Sequence, residues 1–192
     1  MKREDRNLLK ERLSALKGMP LRTICRNYDS LFMSFGEMLE TEDFLDRDVD
    51  DEARGRIMVG EYAVWIEAAF RFLRDGEIFA TRTDFFAPSS RIARDDVHFD
   101  YTVEGSNLWD ETVADRFAVP SELVVKSVKI NELGDLTMNF TNGMRLEVFV
   151  YVSTDDECWR FLRSADDQDD DLVVTGQGLW HDDDDEEERE EA

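Results

Sequence analysis

Asp96, His98 and Asp100 form the one constellation in this chain whose residue types and spacing suit chemistry. On a strand, alternate positions point to the same side. Two carboxylates and an imidazole on that side could hold a divalent metal or act as an acid–base cluster. Three groups on one strand rarely complete a metal site, so the polar face of an edge strand is the competing reading. The other histidine, His181, adjoins an acidic terminus and reads as solvated.

A second spacing invites calcium. Asp46, Asp48 and Asp50 match the first three ligand positions of an EF-hand loop. Position six is Asp51 where the turn needs glycine, and position twelve is Ile57 where the bidentate glutamate belongs. Weak, nonspecific cation binding is the most this supports. Gly176-Gln177-Gly178 lacks the third glycine and the following helix of a phosphate loop, and reads as a loop or bulge. GxSxG and HExxH do not occur. No cofactor is expected, and the balance leans away from an enzyme.

Charge says more than motif. The 192 residues carry a net charge of −23, with 46 acids against 23 bases. Residues 181–192 hold nine acids and one arginine, and read as a disordered acidic tail. Such a surface is repelled by phosphate backbones and anionic lipid, which argues against direct nucleic-acid or membrane binding. It attracts basic proteins, although acidity can also serve solubility or adaptation to high salt. Two cysteines, Cys25 and Cys158, make no disulfide framework and read as small buried side chains. The first residues lack the apolar stretch of a signal peptide, and no run reaches the ~20 apolar residues of a membrane span. A cytoplasmic protein is expected.

The elements that must position these residues come from periodicity. Leu9, Leu13 and Leu16 give residues 4–17 one helical stripe, closed by Gly18 and Pro20. Strands are expected at 21–26 and 31–36, and a mobile acidic loop at 37–56. A long alternating strand over 61–73 turns at Asp75-Gly76 into a partner at 77–86. A strand at 97–103 carries the Asp-His-Asp cluster. Asn107 caps a helix over 108–117. A meander follows at 123–130, 135–140 and 144–152, turning at Asn142-Gly143. Thr154 and Glu157 have capping-box spacing, which predicts a short helix through Leu162. A second acidic loop, 166–171, precedes a last strand at 172–180. The segments 21–35 and 125–140 resemble each other, which admits two similar β-meanders.

The fold class is therefore α+β: mainly antiparallel sheet with two or three short helices, in one domain over 1–180. The stretch Leu133–Phe149, then Glu157–Phe161 and Leu172–Gly178, resembles small bacterial domains of unknown function, some of them similar to immunity proteins of toxin–immunity systems. The resemblance implies a β-rich, non-catalytic binding protein. The expected function is stoichiometric binding of a basic partner such as a toxin. Its interface candidates are Asp46, Asp48, Asp50, Asp51, Asp169, Asp170, Asp171 and Trp180, the last apolar residue before the tail. The alternatives are a metal-binding protein or metal-dependent enzyme using Asp96, His98 and Asp100, and an acidic nucleic-acid mimic. Oligomeric state is open.

Overall fold

The computed structural model describes residues 1–42, 55–117, 119–164 and 171–180. Among these residues the fold is α+β, with two α-helices and eleven strands in two antiparallel sheets. Helix α1 (Arg3–Leu13) buries Leu9 and Leu13, and a 3-10 turn (Ser14–Leu16) finishes the stripe with Leu16. Acids in its first turn and bases in its last complement the helix dipole.

Strands β1 (Leu21–Asn27), β2 (Ser30–Glu42) and β3 (Arg56–Ile66) form a meander. The loop expected from residue 37 thus begins no earlier than 43, because β2 stays paired with β3 as far as Glu42↔Arg56. A bulge between Phe35 and Met38 makes the extension possible. Gly36 sits there at φ +89°, and Gly60 passes so close that an added Cβ would lie 2.4 Å from the Phe35 carbonyl oxygen. The Gly60 amide donates to Ser34 Oγ, and Ser164 Oγ donates to the Gly60 carbonyl.

The single strand expected over 61–73 is two strands in two sheets. After β3 the chain turns at Glu67-Ala68, whose amides both donate to the Cys158 carbonyl. It then enters the second sheet as β4 (Ala69–Arg74), which pairs with β5 (Glu77–Thr81). A 3-10 turn (Arg82–Phe86) with a Thr81–Asp84 capping box follows. Helix α2 (Leu108–Arg116) comes next, then β6 (Val125–Ile130), β7 (Leu136–Phe140) and β8 (Arg145–Phe149).

Residues 157–163 form strand β9 (Glu157–Arg163) rather than the expected helix. The Thr154 hydroxyl donates to Asp156 Oδ2 instead of capping a turn. Strands β10 (Leu172–Thr175) and β11 (Gly178–Leu179) close the described chain as a tight hairpin.

The sheet orders are β1-β2-β3-β9-β10-β11 and β5-β4-β8-β7-β6. The first meander sends its next strand, β4, to pair with β8, and the second sends β9 to pair with β3. Each meander keeps its third strand, β3 or β8, and passes the strands that follow to the other sheet. At one corner the sheets also join along their edges. Gly18 donates to the Val125 carbonyl, Val125 to Met19 and Leu21 to Leu123.

One buried cluster runs from Leu9 to Leu179 and unites the apolar faces of both sheets. Leu31, Met33, Phe35, Val64 and Ile66 enter from the first sheet, and Phe70, Phe72, Met138, Leu146 and Val148 from the second. Phe32, Val59, Ala63 and Trp65 form a second, smaller cluster on the other side of β2 and β3.

Candidate functional site

The longest described stretch without helix or strand runs from Ala87 to Asn107. Loops of that length in a packed domain are usually functional. This one is built from successive tight turns. Asp96 Oδ1 accepts from the His98 amide, and Asp100 Oδ1 accepts from the amide and hydroxyl of Thr102. These aspartates mimic a backbone turn, the local bonding that competes with a sheet ladder. The expected strand at 97–103 is therefore absent, and Asp96, His98 and Asp100 do not share a strand face. Among the described residues no group of three His, Cys, Asp or Glu side chains comes together to hold a metal.

Both ends of the loop are fastened. Ser89 donates to the Ser106 carbonyl and Leu108 to Ala87. Asn107, fully buried, caps α2 through its Oδ1 and donates from Nδ2 to the Tyr101 carbonyl and to Asp110 Oδ2. The Ser90 amide and hydroxyl both donate to the Glu111 carboxylate, which holds that carboxyl below the usual glutamate range. Bonds from the Thr102 hydroxyl and amide likewise lower Asp100.

A carboxyl depressed in the folded state contributes stability above its unfolded value and loses it as pH falls through its folded value. Acid should thus release Ser90 from Glu111. Protection of the Ser90 amide against exchange is expected to fall below the ordinary glutamate range, and Glu111→Gln is expected to lower that protection already at neutral pH.

Beside this loop lies a cleft of about 830 Å³, within the size range of ligand and anchor sites. Its walls are the β1–β2 turn, Thr102, Glu104, Gly105 and one side of α2, with Ile24, Trp109, Val113 and Ala114 among its apolar lining residues. Arg26 and Asp110 meet at its base, Nη2 to Oδ2 at 3.5 Å, with both side chains largely buried. Asp110 Oδ2 also accepts from the Gly105 amide at 2.8 Å. Arg26 Nη1 donates to the Tyr28 carbonyl, while its Nε is buried without a partner. Glu104 stands exposed on the rim. Cys25 also lines the cleft, but desolvation pushes its thiol up to about 11, so it is protonated at neutral pH and a poor nucleophile.

Of the residues singled out by sequence, Asp46, Asp48, Asp50, Asp51, Asp169 and Asp170 lie outside the described residues. Asp171 sits 3.6 Å from Arg160 Nη1, and Arg160 is also bonded to Glu157. Trp180 is partly exposed, and its amide donates to the Val173 carbonyl. Sequence reading missed Arg26, Glu104 and Asp110 as neighbours, because only the tertiary fold brings β1 against α2. No helix among the described residues is long and apolar enough to cross a membrane.

No family model, no curated protein and no solved structure matches this chain.

Proposed function

We propose that the chain is a non-catalytic protein-binding module for a basic partner, of the immunity type that its C-terminal strands resemble, acting in the cytoplasm. The cleft carries this reading. Its apolar lining suits the methylenes of a partner's lysine or arginine. Its carboxylates, Glu104 and Asp110, outnumber its one cation, Arg26. The adjoining loop adds exposed apolar and acidic side chains. Val97 is 88% and Val103 56% exposed, and Asp95, Asp96 and Asp100 are exposed too. Such side chains suit contact with a basic partner. Charge complementarity with a protein of net charge −23 would speed association. The carboxylates of 46–51 and 169–171 enter the reading through that charge.

The test is capture of partners from lysate at low and moderate salt. It compares the full chain, a form ending at Trp180, and the full chain with Ala114→Trp, which places an indole at the mouth of the cleft. One basic protein should be held at moderate salt by the first two and released by the third. Diffuse, salt-labile capture that disappears with residues 181–192 would mean the charge serves solubility, and the reading would fail. Competition between the chain and duplex DNA for the captured protein would identify phosphate mimicry as its mode of binding.

A further inference from the structure

The five lysines of this acidic protein are not spread over it. They are Lys2, Lys10, Lys17, Lys126 and Lys129, in two short segments. Residues 1–17 carry six bases against three acids, and β6 carries two lysines and no acid. The fold brings these segments together, since α1 and the 3-10 turn after it lie against β6. Between them is a pocket of about 270 Å³ lined by Lys10, Lys17 and Lys126 with Ser14 and Ser127.

Among the described residues none of these three ammoniums has a carboxylate within ion-pair distance. That is unexpected where acids outnumber bases twofold. The helix dipole accounts for Lys10 and Lys17, which lie near the C-terminal end of α1, but not for Lys126 on β6. Lysine on an edge strand often guards against aggregation, yet this edge is already occupied, since Val125 exchanges backbone bonds with Gly18 and Met19. The pocket also has a hydroxyl ready to donate. Ser127 Oγ accepts from Asn139 Nδ2 at 3.1 Å, which leaves its own proton uncommitted. The Ser14 hydroxyl, by contrast, is spent on the Glu11 carbonyl.

We infer that this pocket binds a small phosphorylated anion, held by Lys10, Lys17 and Lys126 and oriented by the Ser127 hydroxyl. Lysines from two elements lining one small pocket suit a compact multivalent anion, whose oxygens can accept from several ammoniums at once. The surrounding negative field selects against diffuse attraction, so binding depends on these short contacts.

The experiment is calorimetric titration of the full chain with inorganic phosphate, pyrophosphate and tripolyphosphate, without divalent cations, alongside amide shifts at Ser127. Saturable one-site binding is expected, tightest for tripolyphosphate, with the Ser127 amide moving in step. Lys10→Gln and Lys126→Gln should each weaken it about tenfold. Lys129→Gln, outside the pocket lining, should change it by about twofold or less. Absence of saturation by about 1 mM tripolyphosphate overturns the inference. So does equal weakening by Lys129→Gln, which would mean general charge. Salt-labile self-association lost in Lys126→Gln, without polyphosphate binding, would assign the lysines to carboxylates of a second copy and also overturn it.

Discussion

Replacing Trp109 with alanine is expected to destabilise the protein by about 3–5 kcal/mol, the range for truncating a large buried aromatic. Trp109 is almost fully buried at the first turn of α2. Its ring lies 5.2 Å from Phe85, 5.4 Å from Phe70 and 6.0 Å from Phe72, centroid to centroid, mostly edge to face. Phe117 completes the group from the other end of the helix. The indole therefore fastens α2, and with it the 87–107 loop and the cleft, onto β4. Truncation leaves a cavity among four aromatic rings that the rigid sheet cannot close. Urea unfolding should show the loss, with a fall in Tm on the order of 10 °C. Trp180→Ala, at the exposed end of the described chain, should cost under about 0.5 kcal/mol. Equal losses from the two would mean that the aromatic cluster does not hold α2.

Gly60→Ala is expected to cost at least the upper end of the ~1–3 kcal/mol typical of overpacking. The new methyl would meet the backbone of Phe35, which cannot rotate away as a side chain can. To admit it, β2 and β3 must separate at the bulge, where Ser34 Oγ and Ser164 Oγ complete the hydrogen bonding of Gly60. Gly55→Ala is the matched comparison, because nothing lies within 4 Å of the added Cβ. Thermal unfolding should separate the two clearly. If both unfold like the parent, the close approach at Gly60 does not exist in solution.

The first meander was legible because Leu31, Met33 and Phe35 alternate and are all buried. The Asn142-Gly143 turn and the Asn107 cap were legible because each depends on local backbone chemistry. The passage between sheets was not. Ile66, Ala68 and Phe70 keep strict alternation across it and enter the same core, so parity carries no mark of a change of partner. Residues 157–161 misled for a related reason. Cys158, Trp159 and Phe161 are all buried, and a short strand covered on both faces has no period to distinguish it from a helix. At 97–103 the apolar alternation was present, but Asp96 and Asp100 divert the local amides into turns. The cleft was hidden because Arg26 and Asp110 are distant in sequence, and neither belongs to a motif.

The exchange of β4 and β9 has a consequence for the integrity of the chain. Each half builds three strands of one sheet and donates strands to the other, β4 and β5 from the first half and β9 to β11 from the second. A cut between α2 and β6 would leave two fragments, each with an open strand edge, β3 on one and β8 on the other, matching the strands that its counterpart donates. The protein is thus arranged like a domain-swapped dimer written into a single polypeptide. Neither half is complete alone, and contacts distant in sequence must form before either sheet is whole, an ordering that favours slow and cooperative folding.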